Sequence, residues 1–329
     1  MSRAARTRAF TLIELLVVVA VIGILISVLV PALASARASA QLQVCKSNIR
    51  QLSVAMLSRA SDFDGELSTG LWSNDSRKSY GPLDTHGWVA DLVNADYGKP
   101  GEMLCPTHPA TTTQDLLDDR IDDSPWKQIT PQERDELVQR GMNTNYTLSW
   151  YVAYTDMRDR FDPYLDPKRT NDVIGPLHEK RLGKAPAYAV PLIGTGRTDT
   201  DNAGTINGEF QEVVKGLTDG PTEGWNADAG RYAKQDYSDW GPAHGGGGAI
   251  FSSNKNHDRK TGNIGFADGH VASFDDTFNV DQPDQPGRDG EFAPVLESTP
   301  YGQRWVYKDD NMQEKVFGGS VMTGEWFNK

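Results

Sequence analysis

A long apolar run near the amino terminus constrains this chain more than any other feature of its sequence. Between Leu15 and Val30, only Gly23 and Ser27 are not apolar. With the apolar residues just before it, the run approaches the roughly 20 residues that a helix needs to cross about 30 Å of hydrocarbon. Arginines precede the run and none lies within it. Because positive flanks stay in the cytoplasm, the pattern predicts a membrane helix followed by an exported remainder.

One acidic residue, Glu14, directly precedes this run. A carboxylate inside a membrane segment costs on the order of 2.5–3.5 kcal/mol, so it normally has a partner or a function. The alternative is that Glu14 lies at the headgroup boundary, where it costs little. Upstream, a cationic leader ends at Ala9, and Phe10 follows it.

This order of residues resembles the class III leader of type IV pilins and type II secretion pseudopilins. The resemblance implies that a prepilin peptidase cleaves between Ala9 and Phe10 and methylates the new amino terminus. It also implies that Glu14 pairs with the N-terminal amine of a neighbouring subunit, and that Pro31 matches a helix-kinking proline. Ala9 departs from the family, in which Gly is usual at that position. The topological alternative is a secreted protein, because the small residues at 32–36 imitate a signal-peptidase site.

Beyond Pro31 the pattern stays helical but becomes one-sided. Apolar residues recur at steps of three and four positions, as a buried helix face requires; they are Leu42, Cys45, Ile49, Leu52 and Met56. A turn signal over 62–65 ends the pattern. We therefore predict an α+β fold: a leader over 1–9, one long helix over 10–61 with a membrane half and an amphipathic half, and a β-rich globular domain over 62–329 packed on that helix.

Shorter elements are predicted inside the globular domain. Residues 87–93 favour a brief helix, and Thr130 with Glu133 forms a capping-box pattern that starts another helix, with Pro131 in its first turn. Aromatic and β-branched residues predict strands at 145–152 and at 188–193; the second contains Pro191, which indicates an edge or a break. The polar, Gly-rich segment 198–228 is predicted to be surface loop.

A β-hairpin is predicted near the carboxyl end. Asp268-Gly269 favours a type I′ turn, in which both central residues have positive φ. A two-residue loop would pair Phe266 with Val271 and place Ile264 with these two residues on the core face.

This stretch resembles the H-X9-DG signature of a large family of bacterial envelope proteins with prepilin-type leaders. In that family, nine residues separate a His from Asp-Gly. Here ten residues separate His257 from Asp268-Gly269, so either one residue is inserted or His257 is not the equivalent histidine. The family also tends to carry a cysteine in the helix and a Cys-Pro further on, as Cys45 and Cys105 do here.

The chain contains only these two cysteines. Export permits a disulfide between Cys45 and Cys105, but two cysteines are no disulfide framework. The alternative for Cys45, which lies on the apolar stripe, is a buried free thiol that packs as a small hydrophobic side chain.

No motif indicates catalysis or a cofactor. The formal net charge of −12 disfavours nucleic acid as a partner. The six histidines show no metal-binding spacing, and the Gly-rich stretch after His244 lacks the Lys-Ser/Thr of a phosphate-binding loop. The acidic run 281–291 offers spaced oxygen ligands, so Ca²⁺ binding there is an alternative, although the run does not fit an EF-hand loop. We therefore predict no enzyme, no resident cofactor and no metal ligand.

The expected function is that of a pilin-like or pseudopilin subunit in the cytoplasmic membrane, single-pass, with its amino terminus inside and its domain outside. Its partners would be the prepilin peptidase and other pilin subunits. The alternative is a membrane-anchored binding module or enzyme that uses a pilin-type signal for export. A deep pocket with converging carboxylates or histidines would favour this alternative.

Overall fold

The structure is a computed structural model that describes residues 11–122, 125–221, 225–226, 231–232, 235–237, 239–245, 259–275, 295–299, 302–306 and 315–324. Several features named above lie outside these ranges: the leader with Ala9, Phe10, His257, the Gly-rich stretch beyond Gly245 and the acidic run 281–291. The chain divides into two compact units, Met1–Gln43 and Val44–Lys329.

Helix α1 covers Leu12–Asp62, 51 residues with Pro31 inside it, and confirms the predicted long helix. It ends where Asp64 and Gly65 adopt positive φ values of 49° and 93°, a conformation that Gly accepts freely and that terminates helices. In its second half the predicted stripe is buried: Cys45, Ile49, Leu52 and Met56. An α+β fold with a long helix and a β-rich domain is thus confirmed.

A buried arginine ties the last turn of α1 to the domain. The Arg59 guanidinium donates to the Glu66 carbonyl at 2.7 Å and lies 3.6 Å from the Asp91 carboxylate. Asp91 also accepts from the Thr69 backbone N–H at 2.6 Å. Burial raises the pKa of Asp91, and Arg59 and Thr69 oppose that shift. The pair is buried, so removing either partner would leave an uncompensated charge.

The other helices are short. They are α2 Trp88–Asn94, α3 Asp118–Ile121, α4 Pro131–Gln139, α5 Trp150–Tyr154 and α6 Glu179–Leu182, with single 3₁₀ turns at Pro100–Glu102 and Gln114–Leu116. The capping box predicted for α4 is present: Glu133 N–H donates to Thr130 Oγ1 at 3.2 Å, and Thr130 N–H donates to the Glu133 carboxylate at 2.9 Å. Both predicted helices, α2 and α4, are confirmed. They could be predicted because the signals for them lie within a few residues of sequence.

The strands form several small sheets. They are β1 Thr112–Thr113, β2 Tyr146–Leu148, β3 Pro191–Thr195, β4 Thr198–Ile206, β5 Glu209–Val214, β6 Gly220–Pro221, β7 Trp225–Asn226, β8 Arg231–Tyr232, β9 Gln235–Asp236, β10 Thr261–Phe266, β11 Val271–Asp275, β12 Val295–Thr299 and β13 Gly302–Val306. The central sheet has the order β11-β10-β3-β2, and a second sheet has the order β1-β5-β4.

The strand predicted over 145–152 is wrong in its second half. The strand stops at Leu148, and Ser149 caps α5 by accepting from Tyr151 N–H at 3.3 Å. The aromatic side chains of α5 find distant partners: Trp150 Nε1 donates to the Pro167 carbonyl at 2.7 Å, and the Tyr154 hydroxyl donates to the Lys78 carbonyl at 2.5 Å. Tertiary partners therefore override the β-propensity of these residues.

The loop predicted over 198–228 is wrong for residues 198–214. Strands β4 and β5 pair as a hairpin, and Asn207 and Gly208 join them with φ values of 51° and 78°. Asn-Gly is a strong signal for a type I′ turn. The strand predicted over 188–193 is wrong for 188–190, because β3 begins only at Pro191. The break predicted at Pro191 agrees with this start and with the register shift opposite it, next to Phe266.

The register predicted for the carboxyl-terminal hairpin is wrong by one residue. Val271 pairs with Gly265, not with Phe266. Three residues, 267–269, form the loop, and Gly269 alone of them has positive φ, at 84°. The Asp268 carboxylate accepts from His270 N–H at 3.0 Å, which stabilises the longer turn. Val271 therefore shares a face with Gly265 and not with Ile264 and Phe266, which are buried on the other face.

Only glycine fits where β10 crosses α1. A Cβ atom at Gly265 would lie 2.4 Å from Ser53 Oγ and 2.7 Å from Ile49 Cγ2. The backbone of β10 thus packs directly on the buried stripe of α1, which explains why both faces of this strand are covered.

Candidate functional site

The described start of α1 contains a capping box around Glu14. Thr11 N–H donates to Glu14 Oε2 at 2.8 Å, and the Thr11 hydroxyl donates to the same oxygen at 2.6 Å. Glu14 N–H in turn lies 3.3 Å from Thr11 Oγ1. Sequence reasoning singled out Glu14 and missed Thr11, although Thr-x-x-Glu is the signature of this cap.

The first half of α1 exposes its apolar side chains on every side. All residues from 11 to 40 are exposed, including Ile22 and Val28. Among the described residues, α1 is long and apolar enough to cross a membrane. An exposed apolar surface of this extent needs lipid or other helices around it.

A second cluster lies inside the globular unit. The thiols of Cys45 and Cys105 and the imidazole of His244 are buried, and their ligand atoms all lie within 4.8 Å of one another. Cys105 Sγ is 3.2 Å from His244 Nε2. Cys45 comes from α1, Cys105 from the loop after the first 3₁₀ turn, and His244 from the segment bridged to Thr261.

Buried amides hold the cysteines in place. Asn145 accepts from Cys105 N–H at 2.9 Å and donates to the Cys105 carbonyl at 3.1 Å. Asn263 Nδ2 donates to Cys45 Sγ at 3.5 Å. The backbone of His244 exchanges hydrogen bonds with Thr261, the first residue of β10. The cluster is therefore positioned by α1, the Cys105 loop and the hairpin together.

The two thiols have different electrostatic environments. Burial raises the pKa of Cys45 well above its ordinary value, and the contact with Cys105 adds to the shift. Burial also opposes ionisation of Cys105, but hydrogen bonds with Cys45 and His244 outweigh it and hold the pKa of Cys105 well below its ordinary value. Cys105 is thus the more acidic thiol of the pair.

The structure brings together the two cysteines of the candidate disulfide and shows both as free thiols. It adds His244, which sequence reasoning placed only in a Gly-rich stretch. No spacing rule identifies this trio, because its members come from three distant parts of the chain. The disulfide itself stays a prediction.

The family-motif residues Asp268 and Gly269 lie at the tip of the hairpin. Asp268 Oδ1 is 2.5 Å from His270 Nδ1, and the His270 ring stacks on Phe266 with centroids 4.5 Å apart. Burial would raise the pKa of Asp268, but hydrogen bonds from His270 lower it overall. The third motif residue, His257, is outside the described part of the chain.

A polar cavity of about 220 Å³ lies in the globular unit. Its charged lining includes Asp75, Lys78, Asp115, Arg120, Lys168, Lys215 and Asp219. Several of these charges are paired: Lys78 lies 3.4 Å from Asp75, and Lys168 contacts Asp219. Asp115 is buried, and burial raises its pKa to about 6.

Comparison with known protein families gives a match at the amino terminus. Residues 5–30 match the family model of the prokaryotic N-terminal methylation motif. No curated protein and no solved structure matches the chain. The matched segment covers the residues just before α1 and α1 as far as Val30, so it does not describe the globular unit. Together with the apolar helix, the motif supports a membrane-anchored, type IV pilin-like protein that is processed by a prepilin peptidase.

Proposed function

We propose that this protein is a pilin-like or pseudopilin subunit that assembles into a pilus or a type II secretion apparatus. A prepilin peptidase cleaves between Ala9 and Phe10 and methylates Phe10, and α1 then anchors the chain with its domain outside the cytoplasmic membrane. The observation that carries this proposal is a methylation motif at 5–30 joined to a helix whose first half is apolar and fully exposed. The role is structural and needs no catalysis.

Hydrogen bonds from Thr11 explain how a single subunit tolerates the Glu14 carboxylate at the start of its membrane helix before assembly. Both hydrogen bonds from Thr11 go to Oε2 of Glu14, and charge-assisted bonds of this kind offset part of the cost of removing a carboxylate from water. On assembly, Oε1 receives the methylated amine of Phe10 from a neighbouring subunit. The resulting ion pair sets the register between adjacent helices.

The processing step is tested by mass spectrometry of the intact membrane-purified protein and of its N-terminal peptide. A chain that begins at methylated Phe10 supports the proposal. An unprocessed Met1 start contradicts it, and a start near residue 35 indicates a secreted protein instead.

The assembly step is tested with Glu14→Ala. We expect normal membrane insertion but loss of incorporation into filaments or membrane assemblies, measured by in-cell cross-linking. The matched control is Glu136→Ala, which removes an exposed glutamate of α4 and should leave incorporation unchanged. Full incorporation of the Glu14 variant would contradict the proposal.

One observation favours the alternative of an anchored binding module: the charged cavity that contains Asp115. Its paired lysines and carboxylates suit a small polar ligand with an anionic group. Thermal-shift measurements of the detergent-solubilised chain with phosphate and uronic acids test this alternative. Stabilisation that is lost in Lys168→Ala supports it, and no shift with any of these probes argues against it.

A further inference from the structure

We propose that Cys45, Cys105 and His244 bind one Zn²⁺ ion, which joins α1 to the Cys105 loop and to the His244 segment that pairs with the first residue of β10. This inference is independent of the proposed assembly function. All three ligands belong to the globular unit Val44–Lys329, so the site does not require an assembled filament.

The spacing of the donor atoms fits a metal ion. The three ligand atoms lie within 4.8 Å of one another, and Cys105 Sγ is 3.2 Å from His244 Nε2. Zinc binds thiolate sulfur at about 2.3 Å and imidazole nitrogen at about 2.0–2.1 Å, so neighbouring donors in a tetrahedral site lie roughly 3.5–4 Å apart. Small side-chain adjustments therefore bring all three donors onto one ion.

The hydrogen bonds of His244 orient its ring as in a metal ligand. The Thr107 hydroxyl donates to the Ala243 carbonyl at 2.7 Å. Because its only proton is used there, Thr107 Oγ1 accepts from His244 Nδ1–H, also at 2.7 Å. Nε2 is then the ring nitrogen that faces the sulfur atoms. A hydrogen bond on the other ring nitrogen is what positions most metal-bound histidines.

The surroundings of the sulfur atoms also match a zinc site. Asn263 Nδ2 donates to Cys45 Sγ, and the Asn145 amide clamps the backbone on both sides of Cys105. Neither a disulfide nor a pair of packed thiols has need of an imidazole nitrogen aimed at the sulfur atoms. The outer-shell bonds found here instead tune and orient thiolate ligands.

The charge of the three ligands favours a divalent ion. Both sulfur atoms bind as thiolates, and two thiolates with a neutral imidazole cancel the charge of a divalent cation. A neutral site is the form that a buried environment tolerates best. Sulfur and imidazole ligands favour zinc over the oxygen-seeking ions Mg²⁺ and Ca²⁺. The fourth position of the tetrahedron is left for a water molecule, as in other zinc sites with three protein ligands.

The test uses the full-length protein, solubilised in detergent and purified without chelators. We expect about one zinc per chain by elemental mass spectrometry. Replacement of zinc by Co²⁺ should produce the intense near-ultraviolet sulfur-to-cobalt absorption. Both signals should disappear in His244→Ala, whereas His270→Ala, which removes an exposed histidine, should keep both.

A thiol count separates the proposal from its competitors even if a ligand variant folds poorly. Unfolding the wild-type protein with a chelator present should release zinc together with two titratable thiols. The double variant Cys45→Ala/Cys105→Ala, which keeps the site small and apolar, should fold without metal and lose the decrease in Tm that a chelator causes in the wild type. A protein without titratable thiols contains the disulfide and overturns the proposal. Two free thiols with neither zinc nor a cobalt band overturn it equally.

Discussion

Within α1, the first and second halves carry apolar side chains in two different arrangements. From Leu15 to Val30 the side chains are apolar around almost the whole circumference, and they are exposed. From Cys45 onward they form a stripe that the domain covers. A continuous apolar surface thus indicates that the partner lies outside the chain, in lipid or in other subunits, whereas a periodic one indicates a partner within it.

The largest contrast is expected from one substitution made in both halves. Ile49→Ala empties a fully buried position and should lower the free energy of unfolding of the domain by about 2–5 kcal/mol. Ile22→Ala removes the same atoms from an exposed position and should leave the free energy of unfolding of the domain unchanged. Urea unfolding of the detergent-solubilised chain, followed by Trp fluorescence, measures both. Equal effects would mean that the exposed half also contributes to the stability of the domain.

The pH dependence of stability should come from the globular unit rather than from the exposed half of α1. Asp115 has an ordinary pKa of 3.8 and a folded pKa of about 6 because it is buried. The folded state therefore binds this proton more tightly, and the contribution of Asp115 to stability falls as pH rises from about 4 to about 6. Two pKa units correspond to up to about 3 kcal/mol.

Asp115→Asn should remove this component, so that the variant gains stability relative to the wild type across that window. Unfolding free energies of both proteins at pH 4, 5, 6 and 7 measure the difference. A difference that stays constant with pH would contradict the assignment.

A smaller contrast is expected between two glycines, one tightly packed and one with open space around it. Gly265→Ala forces a Cβ against Ser53 and Ile49, which should destabilise the domain by about 1–3 kcal/mol. Gly23→Ala meets no atom within 4 Å and should leave the midpoint of unfolding in place. Thermal denaturation of the two variants checks this pair, and an unchanged Tm for Gly265→Ala would mean that β10 and α1 separate readily.

The smallest effect is expected at the two capping boxes. Thr130→Ala removes the cap of α4 and should lower the free energy of unfolding by about 1 kcal/mol. Thr11→Ala removes the equivalent cap of α1 and the hydrogen bond from the Thr11 hydroxyl to the Glu14 carboxylate. It should leave the stability of the domain unchanged. Urea titration of both variants tests the prediction. If Thr130→Ala were neutral, α4 would not belong to the cooperative unit.

How much of the fold could be predicted depended on how local the determining contacts are. The long helix α1 and the cap of α4 followed from patterns in the local sequence, and both were confirmed. The helix at Trp150–Tyr154 could not be foreseen because its aromatic side chains are held by carbonyls far away in sequence. The Asn207-Gly208 turn is different, since its signal is present in the sequence and was overlooked.

The candidate sites divide in the same way. Ala9, Phe10 and Glu14 were predicted from a contiguous motif, whose segment matches a family model. The association of Cys45 with His244 depends on the tertiary packing of α1 against the His244 segment that is bridged to β10. No spacing of residues in the sequence predicts that contact. A one-residue error in the register of the hairpin also showed how little a turn signal says about which face a strand presents.

The close packing of Ile49 on Gly265 also bears on biogenesis. A chain that enters the membrane by its first helix is delivered in the order of its synthesis, so the stripe of α1 emerges early and β10 emerges near the end. During that interval Ile49 and its neighbours have no cover, and closing so distant a contact is slow. Unprotected apolar surface of this kind promotes aggregation. We therefore expect the yield of folded protein to depend on the interval between the synthesis of α1 and that of β10 as much as on final stability.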